Sequence, residues 1–536
     1  MTIDALLTRV SLLVALAVPL EGSVAQEVDR YRSSLRDTPW RYYGAAGGMT
    51  TVQRSGLPTE VAMGDFSPRP SNYNFDFSRG ADRAALRDVA LVNAVLRIPP
   101  AIPYNLANLF TGDIGPHDFQ HDEEVYCILS FDRDDFGRIE PTSGMTPKFA
   151  CVLQGGEKIK VKFSKDDQTG EARIPGLNLP RGTNTEVHTE VIVTRLFKAL
   201  GYGADVVTPL AKLRCFGCAE NPVEQTACMA LYSHTRRVGF GVRKEECDDK
   251  YGHLVRGRFP NTYVMYQDSQ LAQTGVLREY VDFDLVVIER RYRGPDGRAQ
   301  RIRAFDRQGW ALTDVENMIN VPRVEKDAFY LLTGFIEHYD SKPEQQRLLC
   351  LDPEDGVCGQ PLAIVQDLGA TLGSGNWLHA VFNSFQEAKL NLGNWLHMDE
   401  DELARWVRSG DRRAWVRDDP DRSSVWKDGE ACVSDATAQF QLNRTHVPRL
   451  ISEEGRQLFL SFFDPDRGGI TDEQLRNLLS GAKIEQYGNS LMIDGLPYGL
   501  QSDVWVDAFR FKLGEIISTV CPTIEEIGAS REGSSP

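Results

Sequence analysis

Five side chains, Lys162, Glu190, Asp340, Gln345 and Asp367, follow one another in an order that suits chemistry at a phosphate group. Phosphoryl transfer asks a protein mainly for position and charge compensation. An ammonium holds the phosphates and a helix carboxylate holds that ammonium. One Asp takes the proton of the attacking hydroxyl, while a second Asp and an amide oxygen hold magnesium. Lys162 stands near the end of "EKIKVKF", where Lys158, Lys160 and Lys162 alternate with Ile159, Val161 and Phe163. A period of two puts the lysines on the face opposite the apolar one. Glu190 lies within "TEVHTEVIVTRLFKALGYG", with Glu186 one helical turn earlier as the other candidate partner of Lys162. Asp340 and Gln345 sit in "HYDSKPEQ", directly after the apolar helix pattern "VEKDAFYLLTGFIEHY". Asp367 ends "PLAIVQ", where a carboxylate can be fixed at a cleft mouth, and Gly369 permits a sharp turn.

These residues need elements to carry them. "FACVL", "QGG" and "EKIKVKF" read as two strands around a tight turn. The Glu190 segment has helical spacing, with Gly201 or Gly203 to end it, and "ADVVTPLAKLRCF" returns to strand. "FDLVVIERRYRGPDGRAQRIRAF" reads as a hairpin turned by "PDG". "QRLLCL" and "PLAIVQ" flank a turn, "DPEDG", and the chain after Asn376 is mainly helical. In "RGGITDEQLRNLL" Thr471 and Gln474 form a capping box. The preceding "DPDRGG" has the look of a calcium loop, but Leu475 stands where the bidentate Glu belongs. His117 and His121 fall in a polar stretch after Pro116 that favours a loop over a metal site.

With the elements in place, the order strand Lys, helix Glu, loop Asp and metal Asp resembles that of the protein-kinase-like superfamily, over about residues 145 to 380. "HYDSKPEQ" is similar to the kinase catalytic loop His-Arg-Asp-Leu-Lys-Pro-Glu-Asn, and "DLG" to its Asp-Phe-Gly. The chain departs from the pattern at Gln345, which stands for the usual Asn, and at Tyr339, which stands for the Arg that meets a phosphorylated loop. It also lacks G-x-G-x-x-G before Lys162 and "APE" after "DLG". The resemblance implies an α+β, atypical two-lobed kinase-like fold, with a small antiparallel-sheet N-lobe and a mainly helical C-lobe. Around it the chain's own residues suggest a signal peptide at 1–25 and an N-terminal wrapping extension at 26–145, while the resemblance implies an N-lobe with a cysteine-containing insertion at 146–292 and a helical C-lobe at 293–536. The implied activity is ATP- and Mg2+-dependent phosphotransfer, with Mn2+ as the other cation, onto a protein, glycan or small-molecule hydroxyl. The alternatives are a secreted pseudokinase that only binds, and adenylyl transfer. On this resemblance Asp340 is the base, Lys162 and Lys342 contact phosphates, Glu190 holds Lys162, and Gln345 with Asp367 binds metal.

The whole chain sets outer bounds. Its 536 residues can bury a large core, and its formal charge of −16 argues against a general nucleic-acid binder. "RVSLLVALAVPL" followed by "SVA" has the length and small-residue end of a cleavable export signal. No later run has transmembrane length, so secreted or periplasmic protein without stable membrane insertion is expected. Ten cysteines fit an oxidising compartment. Cys215, Cys218, Cys228 and Cys247 suit two disulfides or a four-thiolate zinc site, and the export signal favours disulfides. Cys350 and Cys358 flank a turn and are expected to bridge.

Overall fold

The computed structural model describes the chain in stretches, chiefly within 83–98, 124–132, 148–162, 186–219, 222–233, 280–292, 309–338, 341–373, 392–417, 422–440, 443–483 and 502–532. The export run at 1–25, His117, His121 and Asp340 lie outside the described residues. In chain order the elements used below begin with strand β1 (Asn74–Phe75), helix α1 (Arg83–Val92) and strands β2 (Glu124–Ser130), β3 (Lys148–Leu153) and β4 (Lys158–Lys162). Helix α2 (Glu186–Ala199), strands β5 (Gly203–Ala204) and β6 (Val206–Phe216), helix α3 (Pro222–Ser233) and strands β7 (Tyr280–Arg290) and β8 (Gln300–Ile302) follow. Next come helix α4 (Arg323–Phe335), strands β9 (Arg347–Cys350) and β10 (Pro361–Val365), and helices α5 (Glu400–Arg408), α6 (Glu453–Ser461), α7 (Asp472–Gly481) and α8 (Ser502–Ile517).

Strands β7, β4, β3, β2 and β6 close into a barrel in that order. The pairing of β3 with β4 is antiparallel across the expected tight turn, with Cys151 opposite Ile159. Closure comes from β6, which pairs antiparallel with β7 from Val206 to Phe216 and parallel with β2 at Cys127↔Cys215. This corrects the expected fold class. The small sheet is not an open antiparallel N-lobe; it is a closed barrel containing a parallel pair, in a mixed α/β chain. Alternation then has a different consequence from the one expected. Residues of one parity, among them Cys127, Phe149, Cys151, Val161, Leu213, Cys215, Val281 and Phe283, fill the barrel interior as one cluster. The Phe149 and Phe283 rings lie 5.2 Å apart within it.

A second, five-stranded sheet runs β1-β8-β9-β10-β5, with β8 antiparallel to β9 and parallel to β1. The expected hairpin is therefore not made: β8 joins this sheet instead of returning along β7. The larger core gathers around α4 and includes Tyr330, Leu332, Phe335, Trp395, Trp505 and Phe509. Buried Asp327 ties α4 to α6, accepting from Arg449 Nε (2.6 Å) and from the Ser452 backbone N–H (3.0 Å) and Oγ (2.5 Å). Thr471 and Gln474 form the expected reciprocal cap, with bonds of 3.2 and 3.0 Å. In the "DPDRGG" segment the Asp464 side chain accepts from Asp466 N–H (3.0 Å) and pairs with Arg467 (3.2 Å).

All ten cysteines are paired, as Cys127–Cys151, Cys215–Cys218, Cys228–Cys247, Cys350–Cys358 and Cys432–Cys521. The Cys350–Cys358 bridge is the expected one, and the zinc reading of Cys215, Cys218, Cys228 and Cys247 gives way to disulfides. Five disulfides place the protein in an oxidising, extracytoplasmic setting. Among the described residues no helix is long and apolar enough to cross a membrane.

Candidate functional site

Lys162 is the last residue of β4, and strand alternation turns it outward from the barrel while Val161 points in. The outward face is not solvent. Helix α2 covers it, and Lys162 is 1% exposed. Its Nζ lies 2.6 Å from both Glu190 carboxylate oxygens, 3.0 Å from Glu289 Oε2 and 3.3 Å from Asp367 Oδ1. Lys160, two residues back on the same face, donates to Glu289 Oε1 at 2.6 Å. Gln345 Nε2 reaches Asp367 Oδ2 at 2.6 Å, so Asp367 joins the barrel lysine to the loop after α4. That loop is closed by the Lys342 carbonyl, which accepts from the Gln345 N–H at 2.9 Å. Asp367 follows β10 with φ +55°, a left-handed conformation that a non-glycine residue adopts at a cost.

The electrostatics divide the cluster into unequal members. Burial alone would lower Lys162, but Asp367, Glu190 and Glu289 outweigh it and hold the ammonium well above the usual lysine range. Burial would likewise raise Asp367, yet Lys162, Lys148 and Lys160 keep its carboxyl well below the usual carboxylate range. Glu289 resists burial in the same way and falls to about 2 through Lys160 and Lys162. Glu190 behaves oppositely: burial, with Glu289 and Asp367 adding to it, pushes its carboxyl up to about 8 against the pull of Lys162. Its two equal contacts to Nζ, both 2.6 Å, pair it directly with the Lys162 ammonium. Asp205 extends the group; burial and Glu289 push it up to about 6, while Lys160, the Tyr292 N–H and Gln366 oppose the rise. Among the described residues the cluster thus sets four carboxylates against Lys160 and Lys162, with Lys148 adding a third cation for Asp367.

Of the residues singled out in the sequence, Lys162, Glu190, Gln345 and Asp367 are brought together. Lys342 lies half-buried in the same turn as Gln345. Asp340 lies outside the described residues. Sequence reasoning missed Glu289 and Asp205. Glu289 stands in an apolar strand, opposite Lys160 in the β4–β7 register, and only that register reveals it. Among the described residues, the groups of three or more His, Cys, Asp or Glu side chains close enough to share a metal ion are Cys127 with Cys151 and Cys215, and Cys350 with Asp352 and Cys358. Their thiols are consumed in disulfides, so neither is a metal centre.

No protein-family model, no curated protein and no solved structure matches the chain. Neither relatives nor the fold therefore support the kinase-like resemblance. The closed barrel contradicts it, because the kinase-like fold calls for an open twisted sheet, whereas here the concave side is filled by the sheet's own side chains. ATP-dependent phosphotransfer, the pseudokinase alternative and adenylyl transfer all rested on that architecture and are withdrawn with it. The ATP expectation rested on the same resemblance and is not carried forward.

Proposed function

We propose that the Asp367 cluster is a binding site for a hard divalent cation, Mg2+ or Mn2+, which in turn takes an oxyanion ligand. The observation that carries this reading is Asp367 itself. It stays ionised, is a quarter exposed, lies 2.6 Å from the Gln345 amide and belongs to a cluster with more carboxylates than lysines. Magnesium prefers oxygen ligands and commonly binds through one or two protein groups, leaving other positions to water or an anion. A turn of the Gln345 amide by 180° exchanges its nitrogen for oxygen, and the two assignments differ only in hydrogen bonding. Asp367 and Gln345 then supply two oxygens to the cation. Lys162, held by Glu190 and Glu289, supplies fixed positive charge beside the bound oxyanion, and Lys342 offers a second ammonium in the same turn. No transfer step is assigned.

The test is calorimetric titration of folded, disulfide-intact protein with Mg2+ or Mn2+, alone and with pyrophosphate as the oxyanion probe. Wild type should bind cation, and pyrophosphate should bind only with cation present. Asp367→Asn should abolish both responses, and Gln345→Ala should weaken them. Pyrophosphate binding that is equal with and without cation would refute the reading. As to compartment, we propose export with removal of the N-terminal apolar run, leaving secreted or periplasmic protein. The five disulfides and the "SVA" after that run support this. Intact mass of protein from its native host should show a start near Gln26, and retained Met1 would refute it.

A further inference from the structure

Two disulfides meet inside the barrel. Cys127 on β2 is in register with Cys215 on β6, and the sulfurs of Cys127, Cys151 and Cys215 all lie within 4.8 Å of one another. Between the two bridges, Cys151 Sγ lies 3.9 Å from Cys215 Sγ. Cys215 is bonded to Cys218 three residues away, across a turn in which Gly217 takes φ +88°. Cys127, Cys151 and Cys215 are fully buried, whereas Cys218 keeps 6% exposure. Thiol–disulfide exchange needs an attacking thiolate in contact with a bonded sulfur, and access decides which sulfur meets an external thiol.

We propose that Cys215–Cys218 and Cys127–Cys151 form a two-step disulfide relay, entered at Cys218 by an external dithiol. In the first step a thiolate of the dithiol bonds to Cys218 Sγ, the Cys215–Cys218 bond breaks, and Cys215 leaves as thiolate. In the second, Cys215 Sγ bonds to Cys151 Sγ, the Cys127–Cys151 bond breaks, and Cys127 leaves as thiolate and takes a proton. This step is redox-neutral and moves the crosslink from β2–β3 to β3–β6. The second thiol of the dithiol then attacks its own mixed disulfide, frees Cys218 as thiol and departs as a cyclic disulfide. The dithiol supplies both electrons of the net reduction. The relay is independent of the Asp367 cluster and stands or falls without it.

The test is brief exposure of native protein to limiting dithiothreitol, quenching in acid to stop exchange, then unfolding, maleimide labelling and peptide mapping. Label should appear equally on Cys127 and Cys218, together with a Cys151–Cys215 crosslinked peptide. Label on Cys215 and Cys218 alone, with Cys127–Cys151 intact, would overturn the proposal. Two variants test the same step without reductant. Cys218→Ser leaves a Cys215 thiol against Cys151 and should show label at Cys127, while Cys215→Ser should show label at Cys218 only. Label confined to Cys215 in Cys218→Ser would also overturn it.

Discussion

Strand β6 closes the barrel, and Arg214 is the charged residue buried on it. Its Nε and Nη2 donate to the two carboxylate oxygens of Asp282, the residue opposite on β7, at 2.7 and 2.8 Å. Both side chains are at most 2% exposed, and the guanidinium carbon lies 3.8 Å from the Tyr280 ring centroid. Asp282→Ala removes both bonds and leaves a desolvated guanidinium. Two charge-assisted hydrogen bonds at about 1.5–3 kcal/mol each set the upper scale, and breaking a buried ion pair costs about 3–5 kcal/mol. We therefore expect Asp282→Ala to destabilise the protein by about 3–5 kcal/mol. The double variant Arg214→Met/Asp282→Leu, which removes both charges, should recover most of that loss. Urea unfolding under non-reducing conditions, followed by circular dichroism and by hydrogen exchange in β6 and β7, reads both effects. A loss below about 1 kcal/mol, the range of surface pairs, would refute the reasoning. So would a double variant less stable than the single one.

Three further outcomes follow from particular contacts. Burial pushes the His188 imidazole down to about 4, although its bond to the Ala482 carbonyl (2.7 Å) favours the protonated form. Its folded value lies below the ordinary one, so stability should be complete above pH 6.5 and fall by up to roughly 3 kcal/mol as pH drops towards 4. The pH profile of thermal unfolding should flatten in His188→Gln; an unchanged profile would contradict this. Cys432–Cys521 spans 89 residues and Cys350–Cys358 only 8, so chain-entropy costs of removal are about 4–5 and about 2–3 kcal/mol. Paired Ser variants compared by calorimetry should keep that order, and the reverse order would reject it. A Cβ at Gly455 would stand 2.3 Å from the Asp327 Cβ, so Gly455→Ala should force α6 off α4 and lower the unfolding temperature. An unchanged unfolding temperature would show that the helices can part without loss.

Local pattern carried a definite part of this structure. Period-two alternation placed Lys162 on a strand face, helical spacing placed Glu190, and a β10 end placed Asp367, and the structure brings these three together. The β3–β4 hairpin was legible for the same reason, since its strands are neighbours in the chain. Closure was not. It depends on β2 pairing in parallel with β6, far along the chain, and no local periodicity records a partner or a register. The same blindness hid Glu289, whose meaning comes from standing across from Lys160, and misdirected β8, whose short run of residues pairs with β9. The motif likeness misled at the level of fold because it specifies residue order, and a closed barrel can present the same order of side chains as an open sheet.

Asp367 and Gln345 are the proposed cation ligands. The most direct measurement is the anomalous difference map of crystals soaked in Mn2+. A peak about 2.1 Å from Asp367 Oδ2, the spacing of a hard-cation oxygen ligand, and equally close to the Gln345 amide oxygen, is the predicted result. A saturated soak with no peak there, and Lys162 Nζ still 3.3 Å from Asp367 Oδ1, would contradict it.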